Sequence, residues 1–278
     1  MTRLPNGPGI VTTAAALMAA LAAVLVTQAA AGAAEHSSIR LLAGTGHNDA
    51  GQLRAGVEIR MQPGWKTYWR YPGDSGVPPR FDFSGSTNLA SATVLWPAPH
   101  MFSDDSGKSI GYKGTAIFPL AVTPKQKGQP VTLKLKIDYA VCEKLCVPAE
   151  GEATLTLDGK SGTSGSDDKL LAAAEAQVPR QVSATAAGLT VQRASGKAKP
   201  TVVVALPDGK AHEIFVEGPT AEWALPIPSA MPGAPPGRSQ FSFALDGLPA
   251  GTDPNAPVQL TFTIVGGDRP VEVKTRLD

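Results

Sequence analysis

Short runs of alternating apolar and polar residues, separated by turn residues, constrain the fold of this chain more than any other feature. Between residues 38 and 157 the runs read IRLLAG, QLRAGVEIRM, ATVLWP, AIFPLAV, VTLKLKIDYAVC and EATLTL. Alternation with a period of two is typical of strands with one buried face, and Gly and Pro between the runs favour tight connections. Long amphipathic helical segments are scarce. The spacing predicts an antiparallel β-sandwich.

The second half of the chain repeats this pattern and predicts a second, smaller sandwich. Its runs are LTVQRA, PTVVVALP, HEIFVEG, QFSFALDG, VQLTFTIVGG and VEVKTRL. Between the halves, DGKSGTSGSDD contains no apolar residue and predicts a linker. DDKLLAAAEAQVP then predicts one short helix, capped by Asp167 or Asp168 and ended by Pro179. We therefore expect an all-β fold with domains at 35–157 and 181–278, joined by a linker and helix at 158–180.

The first 34 residues have the features of a secretory signal peptide. Arg3 is their only charge, an apolar stretch runs from Ala14 to Val26, and small residues end at Ala34. We expect an exported, soluble chain that begins near Glu35, and retention of the segment as an anchor is the alternative. Removing Arg3 leaves 25 − 1 = 24 Lys+Arg against 24 Asp+Glu. This balance predicts no nucleic-acid or anionic-lipid partner.

Cys142 and Cys146 are the only cysteines of the chain and lie in the segment DYAVCEKLCVPAEG. Export would place them in a compartment where disulfides persist. With residues 143–145 as a three-residue hairpin loop, Cys142 opposes Cys146, and every matched pair on the other face of the two strands is apolar. Directly opposed residues have Cα atoms about 4.5 to 5.5 Å apart, within reach of a disulfide.

The same register places both cysteines on the charged face of the hairpin, with Lys134 and Glu152, opposite the core face. Pro148 is where a bulge would break this parity. A disulfide that closes so short a loop stabilises little, and exposed, locally closed disulfides tend to be labile or catalytic. The pattern favours an exposed redox-active pair, with a passive hairpin staple and a metal site as alternatives.

Few other residues predict a chemical site. Met61, His100 and Met101 offer soft ligands that could join the two thiolates in a Cu(I) site, although they are far apart in the sequence. His212 is expected to be exposed at a strand end. We find no nucleophile and base set, phosphate-binding loop or paired carboxylate motif, and DDSG at 104–107 is most simply a turn.

Three blocks of the sequence resemble, in order, the N-terminal periplasmic domain of the thiol:disulfide interchange protein DsbD and its ScsB relatives. The blocks are PGWKTYWRYPGDSGVPP, VLWPAPHMFSDDSGKSIGYKGTAIFPLAV and DYAVCEKLCVPAEG. The resemblance covers residues 38–157 and implies an immunoglobulin-like sandwich that shuttles electrons. In the family, a thioredoxin-like domain fed by a membrane-embedded domain reduces this sandwich. The sandwich then reduces thioredoxin-fold partners, including disulfide isomerases and cytochrome c maturation factors.

The resemblance also implies roles for individual residues. Cys142 and Cys146 become the redox pair, with Cys146 forming the mixed disulfide with a partner. The acidic cap loop corresponds to Asp104 and Asp105, and the aromatic wall corresponds to Trp65 and Tyr68. The family's cap carries an aromatic residue where this loop has Asp105 or Ser106, and nearby Phe102 is the candidate to take its place. This chain has three residues between its cysteines, fewer than the DsbD domain.

We expect electrons to come from a separate membrane protein, because the chain has no membrane or thioredoxin-like domain. The expected function is therefore periplasmic thiol-disulfide exchange of the protein-disulfide reductase type, without a cofactor or metal. A non-catalytic binding module with a structural disulfide or a Cu(I) site is the alternative.

Overall fold

The computed structural model describes Met1 and residues 36–73, 76–104, 107–158, 166–194 and 200–278. The predicted signal peptide, most of the predicted linker and Asp105 lie outside these residues. The strands of the first half are β1 Ser37–His47, β2 Leu53–Met61, β3 Lys66–Gly73, β4 Arg80–Asp82, β5 Leu89–Val94, β6 His100–Asp104, β7 Gly107–Lys113, β8 Thr115–Pro124, β9 Val131–Cys142 and β10 Cys146–Leu157. The elements that follow are α1 Ser166–Ala176, β11 Arg180–Val182, α2 Ala184–Ala187, β12 Thr190–Arg193, β13 Thr201–Pro207, β14 Glu213–Glu217, β15 Ser229–Ala230, β16 Arg238–Ala244, β17 Val258–Val265 and β18 Val271–Leu277.

Strands β1 to β10 form two sheets that make up the first sandwich. Sheet A has the order β1-β2-β8-β5, and sheet B has the order β10-β9-β3-β7-β6, with β4 beside β9. The period-two pattern of the sequence determines which face of a strand is buried. On β9 the apolar residues from Val131 to Val141 are buried, and they alternate with exposed Lys134, Lys136 and Asp138. The apolar residues that the two sheets direct towards each other form one core cluster.

Strands β11 to β18 form the second sandwich around a separate core cluster. Sheet C has the order β11-β18-β17-β14, and sheet D has the order β12-β13-β16-β15. The strands pair antiparallel except β11, which pairs parallel with β18. The predicted all-β sandwich fold is confirmed. The short strands β11 and β15 are not among the predicted strand runs, because two or three residues are too few to show alternation.

Helix α1, which the sequence predicted, packs against the outer face of sheet A. Leu171 is fully buried there, above Gly44 and Gly56. A Cβ atom added at Gly44 would lie 2.7 Å from Leu171 Cδ2, so the two glycines leave the space that this side chain fills. Arg54 of β2 binds Asp168 and Glu175 of the helix. Among the described residues, no helix has the length and apolarity required to cross a membrane.

Candidate functional site

The cysteine hairpin has the register predicted from the sequence. Strands β9 and β10 pair without interruption from Val131↔Leu157 to Cys142↔Cys146, and residues 143–145 connect them. Pro148 pairs with Ala140 in this register, so it introduces no bulge. Cys142 and Cys146 form a disulfide with their Cα atoms 4.1 Å apart, slightly closer than the expected spacing. The pair therefore joins two adjacent strands at the end of sheet B.

The two cysteines differ in their access to solvent. Cys142 is 1% exposed, whereas Cys146 at the start of the edge strand β10 is exposed. The prediction that the pair lies opposite the core face is confirmed, because Cys142 clusters with Tyr68 and Ala140 apart from the main core. The expected exposure of both cysteines is wrong for Cys142. Tyr68 belongs to β3, which is distant in sequence, and its covering position is a tertiary contact that the hairpin sequence does not reveal.

Tyr68 contacts both sulfur atoms of the disulfide. Its hydroxyl oxygen lies 2.7 Å from Cys142 Sγ and 3.0 Å from Cys146 Sγ. Neither sulfur of a disulfide carries a proton, so the hydroxyl is the donor. The ring is buried below Gly76, where an added Cβ would lie 2.5 Å from ring carbon Cδ1. A side chain at position 76 would clash with the ring, so the glycine leaves the space that Tyr68 occupies.

A buried cation lies on the same face of sheet B. Lys66 pairs with Cys142 across β3 and β9, and its Nζ donates a hydrogen bond of 3.0 Å to Ser109 Oγ. The ring centroid of Phe102 lies 5.9 Å from Lys66 Nζ and 4.6 Å from Lys113 Nζ. The face of sheet B that carries the disulfide therefore also carries a buried lysine, whose hydrogen bond reaches across to Ser109 on β7. Our sequence interpretation missed Lys66, although its place two residues before Tyr68 puts both side chains on one strand face.

The other residues that were predicted to surround the cysteine pair lie in different parts of the first sandwich. Trp65 stacks on His36 with ring centroids 3.8 Å apart and packs against the core of the first sandwich. Asp104 pairs through its backbone with Gly107 at the end of the β6–β7 hairpin. Asp105 lies outside the described residues. Tyr68 is thus the predicted aromatic residue that hydrogen-bonds to the sulfurs.

The residues considered for a Cu(I) site lie in different environments. Met61 is buried in the core, on sheet A, whereas the disulfide lies on the outward face of sheet B. His100 Nδ1 is 3.2 Å from Glu213 Oε2, and the neighbouring Met101 side chain is partly exposed. Over the ranges that the structure describes, there is no group of three or more His, Cys, Asp or Glu arranged to hold a metal ion.

Comparison with known proteins matches part of the chain to one family and finds similar solved structures. Residues 41–158 match the family described as thiol:disulfide interchange protein DsbD, N-terminal. The N-terminal periplasmic domain of ScsB from Proteus mirabilis has a TM-score of 0.64 at 20% sequence identity, covering 88% of this chain and 94% of that chain. The N-terminal domain of Neisseria meningitidis DsbD in the reduced form has a TM-score of 0.28 at 17% identity, covering 45% of this chain and 86% of that one. No curated protein sequence matches the chain significantly.

Proposed function

Because the chain contains a DsbD/ScsB-like N-terminal domain, we propose that it is an exported thiol-disulfide exchange protein. In this proposal the Cys142–Cys146 pair passes electrons from a membrane-linked donor to thioredoxin-fold acceptors in the periplasm, such as disulfide isomerases or cytochrome c maturation proteins. The observation that carries the proposal is the unequal burial of the two sulfurs under Tyr68. One sulfur is open to a partner and the other is held behind it.

The unequal burial supports a different step for each cysteine in this proposal. In the reduced protein, the Cys146 thiolate attacks a sulfur of the acceptor disulfide, forming a mixed disulfide and releasing the first acceptor thiolate. Cys142 then loses its proton and attacks Cys146 Sγ, which closes the intramolecular disulfide and releases the second acceptor thiolate. Two electrons pass to the acceptor, and its two thiolates take up protons according to their pKa values. A donor dithiol reverses these steps and restores the reduced pair.

The Tyr68 hydroxyl supports this chemistry by donating a hydrogen bond. A hydrogen bond to an ionised group is stronger than one to a neutral sulfur. Donation from Tyr68 therefore favours the thiolate that forms on reduction. This hydrogen bond lowers the free energy of the reduced, ionised pair relative to the disulfide.

A Cys142→Ser variant tests the proposal, because it keeps the exposed thiol and removes the resolving one. Incubated with extracts of exported proteins, it should retain thioredoxin-fold partners as mixed disulfides that reductant releases. Cys146→Ser is the matched control and should trap none, since its remaining thiol is buried. Failure of Cys142→Ser to trap any thioredoxin-fold protein would contradict the exchange role.

The competing explanation is a structural disulfide in a binding module. A loop this short contributes about 2 kcal/mol of chain-entropy stabilisation, and hairpin pairing already restricts its ends. The reduction potential separates the two explanations. A potential below about −300 mV indicates a structural bond, whereas a value within the range of thioredoxin-type proteins supports exchange.

A further inference from the structure

The strand that carries Tyr68 becomes irregular directly after this residue. Strand β3 pairs with β7 at Tyr68↔Gly111 and next at Gly73↔Ser109, so five steps along β3 match two steps along β7. Its pairing with β9 is confined to Lys66↔Cys142. The segment 69–72, which we call the β3 bulge, therefore has no regular ladder to hold it on sheet B. Bulged segments of this kind commonly direct a side chain at a functional site.

Arg70 in the β3 bulge is bound by two carboxylates of the second sandwich. Its Nε and Nη2 atoms donate to Glu217 at 2.9 and 2.7 Å, and Nη2 also donates to Glu272. The second oxygen of Glu272 accepts from Gln181 Nε2. Burial lowers the pKa of Arg70, but the hydrogen bonds and charges of Glu217 and Glu272 outweigh this effect and raise it overall. Arg70 is thus a strongly held cation between β3 and sheet C.

The residues on either side of Arg70 make further contacts with the second sandwich. The ring centroids of Trp69 and Phe215 are 5.8 Å apart. The Tyr71 hydroxyl donates a hydrogen bond to the Leu225 carbonyl. Three consecutive residues of the β3 bulge are therefore held by the second sandwich where pairing within sheet B is interrupted.

We propose that the second sandwich positions Tyr68 against the disulfide, and that Arg70 is the positioning residue. The inference rests on the proposed function, because it concerns the redox pair of that function. Arg70 lies two residues after Tyr68, and its ion pairs hold the bulge that follows the tyrosine. Without them the bulge relaxes and the Tyr68 hydroxyl leaves the sulfurs. The reduced pair then loses a hydrogen bond to its thiolate, and reduction becomes less favourable.

Arg70→Gln tests this coupling through the equilibrium of the purified full chain with glutathione. We expect the equilibrium constant for reduction to fall about tenfold, which corresponds to about 30 mV for two electrons. The matched control is Arg54→Gln, which removes two ion pairs that hold α1 on sheet A, away from β3. The control should lose stability and keep the equilibrium constant of the wild-type protein.

A double-mutant cycle with Tyr68→Phe distinguishes positioning from a general structural effect. Tyr68→Phe alone should also lower the equilibrium constant about tenfold, and Arg70→Gln should then lower it no further. No effect of Arg70→Gln, or an equal effect in both backgrounds, would overturn the proposal. If Arg70→Gln does not fold, Glu217→Gln leaves Arg70 paired with Glu272 and should give a smaller shift in the same direction, again only when Tyr68 is present.

The outcome can be separated from that of the exchange function because glutathione replaces the protein partner. A shifted equilibrium together with no trapped partner would support the positioning role and contradict the exchange role. If partners are trapped but the equilibrium with glutathione is not shifted, the exchange role is supported and the positioning role is contradicted.

Discussion

Cys142 and Cys146 share one bond but have different surroundings. Cys142 is enclosed by Tyr68 and Ala140, while Cys146 begins the edge strand β10 and is exposed. In thiol-disulfide exchange, access decides which sulfur a partner reaches first. The order of the two proposed steps therefore follows from burial.

Alkylation of single-cysteine variants measures this difference directly. Cys142→Ser leaves the exposed thiol and Cys146→Ser leaves the buried one, so we expect iodoacetamide to modify the former at least about tenfold faster at neutral pH. Mass spectrometry gives both rates. In denaturant the two variants should react at similar rates, which controls for intrinsic reactivity. Equal rates in the native proteins would show that Cys142 is not protected.

At the scale of secondary-structure elements, helix α1 is attached to sheet A by one apolar side chain and several ion pairs. Leu171 fills the space above Gly44 and Gly56, and Arg54 binds Asp168 and Glu175. The fit depends on the absence of side chains at the two glycines. The helix therefore packs on the first sandwich, although the chain continues from it into the second.

Leu171→Ala should remove most of this attachment. Leu171 is fully buried, so we expect the free energy of unfolding to fall by about 3 kcal/mol, measured by urea denaturation. Leu170→Ala is the matched control, because Leu170 is 39% exposed and should cost less than about 1 kcal/mol. Similar losses in the two variants would contradict the packing of α1 on sheet A.

Elements with strong local patterns could be predicted from the sequence, whereas contacts between distant elements could not. The alternation along β9 and β10 specified the hairpin register, since a slip of one residue would turn the apolar side chains outward. Tyr68 is 74 residues from Cys142, and Arg70 is 147 residues from Glu217. Such contacts depend on how whole sheets pack, so no local pattern reveals them.

At the scale of the whole molecule, the ion pair between Arg70 and Glu272 links the two sandwiches and requires the ionised carboxylate of Glu272. Burial is the largest effect on the pKa of Glu272 and raises it. The charge of Arg70, hydrogen bonds from Gln181 and Arg70, and the charge of Lys274 together lower it below the usual 4.5. The folded protein thus binds the proton less tightly than the unfolded chain does. Glu272 stabilises the fold above pH 4.5, and this stabilisation is lost as the pH falls through the folded-state pKa.

A Glu272→Gln variant tests this linkage. At neutral pH we expect it to unfold about 2 kcal/mol more easily, because Arg70 loses a charged partner. Its free energy of unfolding should then change less than that of the wild-type protein between about pH 5 and about pH 3, measured by urea titration. Glu152→Gln removes the exposed pair with Lys136 and should keep the wild-type pH dependence. An unchanged pH dependence in Glu272→Gln would contradict the linkage.

The position of β10 at the edge of sheet B sets the trajectory of an incoming thiolate. Such a nucleophile attacks along the line of the bond that it breaks, and the S–S bond crosses from β9 to β10. Among the described residues β10 is the last strand of sheet B, so this line, extended past Cys146, leads over the margin of that sheet. The second sandwich contacts sheet B at β3 and β6, on the other side of β9. In the proposed exchange, a partner that reacts with Cys146 would therefore approach over β10, whereas the second sandwich contacts β3 and β6.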